Sequence, residues 1–278
     1  MKPPMPYFGG KQRIADRIVA LFPEHGHYVE PYCGGLSVLL AKTPAPLETV
    51  NDLDGDIVTF WRVLRDRPDE LIRACALTPH SRAEHVLSRN RSNEEDLERA
   101  RRVWVGLTQG RSGQLMRTGW RNYINPAGVS IGVPRYLDGY VARMAAAAAR
   151  LHHVSLECRP ALDIIADYGQ HEGALLYVDP PYLGAVRGGA GATTSYQVEM
   201  KSAAQHSEML AVLREVPAAV VLSGYPHQLY EDALSDWHRV EMRAFTGNGR
   251  NVTADSGKRT EVVWINRAPV ADLLTEGA

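Results

Sequence analysis

Residues 57–151 break the pattern that governs the rest of the chain, and that break restricts the available folds more than any other feature. On either side, short apolar runs alternate with amphipathic stretches and with turns at Gly or Pro, as strands and helices do in turn. Between them the chain reads as helix. Ile57–Asp66, Pro68–Leu77, Arg82–Asn90 and Ser92–Gln109 have helical spacing, and Ser92 with Glu95 has the spacing of a capping box. Residues 110–133 lose that spacing and fill with Gly, Arg, Asn and aromatic side chains, as a hairpin or extended loop does; residues 135–151 return to helix. The same stretch is basic. It holds 16 Arg, no Lys and 9 Asp+Glu, a charge of +7 inside a host of −8, while the whole chain of 278 residues carries −1. Such an asymmetry points to a polyanionic partner. The competing explanation is an Arg-rich composition on solvated helix faces.

The flanking blocks define the host. Residues 11–22 put Ile14, Ile18, Leu21 and Phe22 on one helical face. His27–Glu30 is a strand ended by Pro31, Cys33-Gly-Gly35 a turn, Ser37–Lys42 a helix stopped by Pro44, and Glu48–Asp52 a second strand ending in acid. That order is a βαβ unit. After the insert, Val154–Cys158 is a strand, Leu162–Tyr168 a helix, and Ala174–Asp179 a strongly apolar strand. A Gly-rich loop at 187–195, a helix at Ser202–Arg214, a buried strand at Ala218–Ser223 and a short helix at Tyr230–Asp236 follow. Trp237–Phe245 and Thr260–Asn266 close the fold as a strand pair. The expected class is α/β: an open, mostly parallel sheet whose second and third strands are separated by a basic helical insert. The domains are then 1–56 with 152–278, and 57–151. No apolar run is long enough to span a membrane, the first ten residues do not read as a signal peptide, and Cys33, Cys75 and Cys158 have neither disulfide-framework nor zinc-site spacing. A cytoplasmic protein is expected.

Three short segments carry chemistry. Asp179-Pro180-Pro181-Tyr182 follows an apolar strand, and open α/β sheets bind ligands beyond the carboxyl ends of their strands. The two prolines lock the turn and lack N–H groups, so the Pro180 carbonyl and Asp179 offer two acceptors to an amino group, and Tyr182 offers a ring for a planar base. The alternative is a structural turn with Asp as a cap. Glu30-Pro-Tyr-Cys-Gly-Gly35 sits between strand and helix, but lacks both the G-x-G-x-x-G spacing and a Walker Lys. Asp52 follows about 20 residues on, where an acid grips ribose hydroxyls in dinucleotide folds. A ligand with a ribose and no pyrophosphate suits the pair; the alternative is an ordinary βα turn. Pro6-Tyr-Phe-Gly-Gly-Lys11 is, alone, compatible with a helix cap.

In order and separation, Phe8-Gly-Gly-Lys11, Glu30-Pro-Tyr-x-Gly34, Asn51-Asp52 and Asp179-Pro-Pro-Tyr182 resemble the Dam-type (alpha-class) DNA adenine-N6 methyltransferases, from Tyr7 to about Asn266. The resemblance implies a Rossmann-like, S-adenosylmethionine-dependent methyltransferase that needs no metal. Its substrate would be the N6 of a flipped-out adenine in a specific sequence of double-stranded DNA, as in restriction–modification. It implies Asp179, Pro180, Pro181 and Tyr182 as catalytic residues. It places Tyr7, Lys11, Glu30, Pro31, Gly34, Asp52, Asp163 and Asp179 at the cofactor. Residues 57–151 become the target recognition domain, with Arg111, Arg117, Trp120, Arg121 and Arg135 at the DNA. A cytoplasmic monomer, bacterial or phage-encoded, is expected. One departure is Leu36, where the family often has a second glycine; Gly35 is expected to do its steric work. Two other functions stay open on these residues: an N4-cytosine DNA methyltransferase, a class that more often has Ser in place of Asp179, and a catalytically silent DNA-binding module.

Overall fold

The computed structural model of the chain describes residues 1–92, 94–116, 118–122, 132–183, 200, 202–245 and 258–267. Its centre is a seven-stranded sheet in the order β3-β2-β1-β4-β5-β7-β6. The strands are β1 (His27–Glu30), β2 (Leu47–Asn51), β3 (Ser155–Glu157), β4 (Ala174–Val178), β5 (Ala219–Gly224), β6 (His238–Phe245) and β7 (Lys258–Ile265). The first five in that order run parallel; β7 pairs antiparallel with β5, and β6 antiparallel with β7. Period-two alternation divides the core between the two faces. Tyr28, Leu175, Tyr177, Val221 and Val263 enter one apolar cluster, while Val29, Leu176, Val178, Val220, Leu222 and Trp264 enter the other. Every residue of β4 and β5 is buried, which explains why these strands read as continuous apolar runs.

The insert consists of α2 (Gly55–Asp66), α3 (Pro68–Ala76), α4 (Arg82–Leu87), α5 (Asp96–Gln109), α6 (Val133–Val141) and α7 (Met144–Leu151). Its apolar residues Ile57, Phe60, Trp61 and Trp104 belong to the same cluster as Tyr28, Leu36 and Leu175 of the host. Two buried indoles tie it down: Trp61 Nε1 donates to the Gly34 carbonyl at 2.8 Å and Trp104 Nε1 to the Pro4 carbonyl at 3.1 Å. In the stretch expected to be a hairpin or extended loop, 110–133, Gly110 and Trp120 form an isolated antiparallel bridge; residues 117 and 123–131 lie outside the described residues. The remaining helices are α1 (Ala15–Val19), α8 (Ala161–Tyr168), α9 (Ala203–Glu215) and α10 (Gln228–Ala233); α8, α9 and α10 contribute to the second cluster.

Some local expectations fail for local reasons. Ser37–Lys42 forms hydrogen-bonded turns rather than a helix, with Val38, Leu39 and Leu40 all buried, so no face is left for solvent. α5 begins at Asp96 with Glu95 as its own N-cap, accepting from Leu97 N at 3.1 Å; Ser92 lies outside the helix. The capping box that does form is at α9, between Ser202 and Gln205. Residues 135–151 divide into α6 and α7. The loop expected at 187–195 lies outside the described residues.

Candidate active site

The first strand, β1, has β2 on one side and β4 on the other, so the chain reverses its direction of sheet growth between β1 and β4. Ligands collect in the crevice at such a point, beyond the carboxyl ends of the strands. A cleft opens there, with about 1250 Å³ of empty space including its mouth. Tyr7, Lys11, Glu30, Pro31, Gly34, Asp52, Asp179 and Pro181 line it, together with Tyr32, Leu53, Leu162 and Met200. Residues as far apart in the sequence as Tyr7 and Met200 thus share one cavity.

The loop after β1 spends several of its donors on the protein itself: Cys33 N donates to Asn51 O at 2.8 Å, Gly34 N to Asp52 Oδ2 at 2.9 Å, and Leu36 N to Cys33 O at 2.8 Å. Asn51, 1% exposed, clips the strand ends together through the Pro31 and Arg159 carbonyls at 2.9 and 3.0 Å. Those N–H groups are not free to cradle a pyrophosphate. Burial instead collects carboxyl groups: it raises Glu30 to about 8 and Asp52 to about 6, and it raises Asp179 against the pull of the Lys11 ammonium. Tyr28 donates to Glu30 Oε2 at 2.8 Å. A cleft with these acceptors suits a ligand with hydroxyl groups and positive charge.

Gly34 and Gly35 make room for protein, not only for a ligand. A Cβ on Gly34 would stand 2.5 Å from Tyr7 Cε1, and one on Gly35 2.7 Å from Tyr7 Cβ, so the glycines seat Tyr7. Gly34 has φ +42, and Leu36 itself adopts φ +52, while fully buried. Gly35 therefore does not replace the glycine that Leu36 displaces: Leu36 takes the left-handed conformation directly, held by its packing.

At the end of β4, Lys11 joins the two halves of the site. Its Nζ donates to the two Asp179 oxygens at 2.6 and 2.7 Å, and also to Gly9 O at 3.1 Å and to the Tyr182 hydroxyl. Burial disfavours this ammonium, but Asp179 and Glu261 more than compensate, and its pKa rises well above that of a free lysine. Tyr182 donates to Glu261 Oε1 at 3.0 Å and stacks on Tyr225, with ring centroids 4.2 Å apart and planes at 26°. Neither Glu261 nor Tyr225 is signalled by a motif; an acid beside the buried run 262–265 was the available clue to Glu261. Asp163 is exposed on α8 and does not line the cleft; its neighbours Pro160, Ala161 and Leu162 do.

The residues expected at the DNA differ in availability. Trp120 packs on His80, with ring centroids 4.5 Å apart, and under the Arg82 guanidinium at 4.8 Å. Arg121 lies over Tyr136 at 4.8 Å and donates to Gly110 O at 3.2 Å. Arg111 is exposed and donates to Trp120 O at 3.2 Å; Arg135 is exposed on α6. Arg117 lies outside the described residues. Much of the insert's arginine is already paired: Arg62, Arg65, Arg67, Arg91, Arg99, Arg101, Arg102 and Arg150 each contact a carboxylate. Among the described residues no carboxylate pairs with Arg73, Arg82, Arg89, Arg111, Arg121, Arg135 or Arg143; five of these seven lie in or just after α4, beside the Gly110–Trp120 bridge or on α6. No helix among the described residues is long and apolar enough to cross a membrane.

Comparison with known proteins agrees with this geometry. The chain is 25% identical over 280 residues to the Type II methyltransferase M1.LlaDCHI of Lactococcus lactis subsp. cremoris, covering 96% of this chain and 95% of that one. A solved precorrin-8w decarboxylase from Methanobacterium thermoautotrophicum covers 96% of each chain at 10% identity, with a TM-score of 0.38, too low to bear on the fold. The family model for D12 class N6 adenine-specific DNA methyltransferases matches residues 7–246, which takes in the Tyr7–Lys11 turn, the loop after β1, the whole insert and the Asp179–Tyr182 turn. By that match, the chain belongs to the D12 class of adenine-specific DNA methyltransferases, enzymes that methylate adenine N6 in DNA.

Proposed function

We propose that the cleft between β1 and β4 binds S-adenosylmethionine, that the Asp179–Tyr182 turn holds the target adenine, and that residues 57–151 grip double-stranded DNA. The observation that carries this reading is the turn itself. It ends a fully buried strand, at the point where the sheet changes direction, with a carboxylate facing the cleft. The bound cofactor supplies an electrophilic methyl group on a sulfonium. Asp52, at the end of β2, accepts from ribose hydroxyls with the lone pairs that Gly34 N and Asp54 N leave unused. Asp52 and Asp179 favour a cationic ligand over its neutral product.

Adenine N6 cannot be reached inside a duplex, so the base leaves the stack at a cost of a few kcal/mol. Asp179 and the Pro180 carbonyl accept its two N–H hydrogens and favour the geometry in which the nitrogen lone pair points at the methyl group. Positioning of this kind supplies much of the rate. Tyr182 replaces the lost stacking. The insert holds phosphates through arginines without carboxylate partners and reads base edges from the hairpin. The likeness to a Type II methyltransferase supports a restriction–modification setting, with the enzyme acting as a cytoplasmic monomer.

The test is transfer of labelled methyl from S-adenosylmethionine to duplex DNA, followed by nucleoside analysis. N6-methyladenine is the expected product. Asp179→Ala is expected to abolish transfer while leaving cofactor binding within about tenfold, since this carboxylate holds the amine. Near-normal turnover by that variant would remove Asp179 from the role.

A further inference from the structure

The last strand, β7, places an acid where its neighbours are apolar. Glu261 is 3% exposed, and Val262, Val263, Trp264 and Ile265 after it are at most 1% exposed. A carboxylate buried this deeply is strongly disfavoured unless something pairs with it. Its partners are the two groups that surround Asp179: Tyr182 donates to Glu261 Oε1 at 3.0 Å, and Lys11 Nζ stands 3.4 Å from the same oxygen. Residue 261 lies beyond the span that the family match covers.

We propose that Glu261 is a positioning residue for methyl transfer: it takes the Lys11 ammonium from Asp179 when the target amine arrives, and it orients the Tyr182 ring. The proposal rests on the reading that Asp179 holds the amine. As the structure stands, Lys11 straddles both Asp179 oxygens, at 2.6 and 2.7 Å. An amino group approaching that carboxylate meets a cation already on its oxygens, and its own hydrogens are positively polarised. After transfer the nitrogen itself is cationic until it loses a proton, and the repulsion grows in a poorly solvated site. Lys11 therefore needs a second station. Glu261 provides one: moving Nζ by roughly 0.6 Å brings it from 3.4 Å to ordinary hydrogen-bond distance of Oε1. The same move lengthens the Asp179 contacts from 2.6 and 2.7 Å to at most about 3.3 Å, so the ammonium's hold on that carboxylate weakens as the amine arrives, and no charge has left the protein's interior. Glu30 does not offer the same service, because no ion pair joins it to Lys11 among the described residues.

Glu261→Gln is the informative variant. It keeps the shape and an oxygen that can accept from Tyr182, but removes the charge that attracts Lys11. The expected result is a kcat lower by roughly ten- to a hundredfold, the range for a misplaced reacting group, with KM for DNA and cofactor affinity little changed. Glu261→Asp keeps the charge and recovers part of the rate. In a Lys11→Met background there is no ammonium to move, so adding Glu261→Gln lowers kcat no further. Wild-type kcat in Glu261→Gln, a Glu261→Asp enzyme no faster than Glu261→Gln, or full multiplication of the two losses in the double variant would each overturn the proposal. The outcomes separate from those of the underlying reading: an active Asp179→Ala enzyme removes the amine-holding role, whereas an inactive Asp179→Ala beside a fully active Glu261→Gln removes only the role of Glu261.

Discussion

Replacing Arg89 with Ala is expected to change how DNA binding responds to salt, and replacing Arg102 is not. Both belong to the basic insert, and the sequence does not distinguish them. The structure does. Arg102 is held by Glu94 at 2.8 Å and Glu98 at 2.7 Å, so its charge is already balanced. Arg89 is exposed, donates to the Thr118 carbonyl at 3.3 Å, and stands with Arg82, Arg111 and Arg121 around the Gly110–Trp120 bridge. If these four and Arg135 each neutralise a phosphate, the slope of log affinity against log salt is about −0.9 per contact, or roughly −4.5 in all. A fourfold rise in salt then weakens binding by about 500-fold. Losing one contact makes the slope shallower by about 0.9, so the deficit of Arg89→Ala relative to wild type shrinks about threefold to fourfold over that rise. Fluorescence anisotropy with a labelled duplex at four salt concentrations measures both slopes. Equal slopes for wild type and Arg89→Ala, or an Arg102→Ala change as large as that of Arg89→Ala, would show that ion pairing within the insert does not decide which arginines meet DNA.

Three further outcomes follow from the site. Leu36→Gly relieves about 1 kcal/mol of left-handed strain but removes a fully buried side chain worth roughly 3–5 kcal/mol, so urea unfolding should show a net loss of about 2–4 kcal/mol; a gain would mean the packing there contributes little. Asp52→Ala weakens S-adenosylmethionine by roughly 1–3 kcal/mol in calorimetry, and unchanged affinity moves the ribose contact elsewhere. Glu30, raised by burial to about 8, holds its proton in the folded state after the unfolded chain has lost it. Stability is therefore present below the unfolded value and falls as pH rises toward 8, by up to a few kcal/mol, and Glu30→Gln should flatten that fall between pH 5 and 8. An identical pH dependence in the variant would refute the assignment.

The sheet was legible wherever burial on both faces left an apolar run bounded by turn residues. That is why β4 and β5, and the position of the insert between β2 and β3, could be read from the sequence. Features set by distant contacts were not. Lys11 looks like part of a helix cap because its partner, Asp179, is 168 residues away. Glu95 looks like the fourth residue of a capping box, whereas it caps α5 itself and also accepts from Arg67 at 2.5 Å. Trp120 has the composition context of an exposed recognition loop, but His80 and Arg82, some forty residues earlier, pack against it. Leu36 is a glycine position by its backbone and a core position by its side chain, and no local rule weighs the two.

The way the insert is fastened bears on how new specificities arise. Phe8 N donates to the Gly113 carbonyl at 2.9 Å, Trp104 reaches the Pro4 carbonyl, and Trp61 reaches Gly34. A transplant of residues 57–151 between relatives would cut all three bonds and leave the Phe8 N–H and the Pro4 and Gly34 carbonyls of the host without these partners. The unit that can be exchanged intact is larger at its base and smaller at its tip: either the insert moves together with residues 4–8 and the loop after β1, or only the hairpin segment beyond Gly113 is replaced. If the insert grips and reads the DNA as proposed, diversification of the target sequence concentrates beyond Gly113, while Trp61, Trp104 and Gly113 stay fixed as its anchorage.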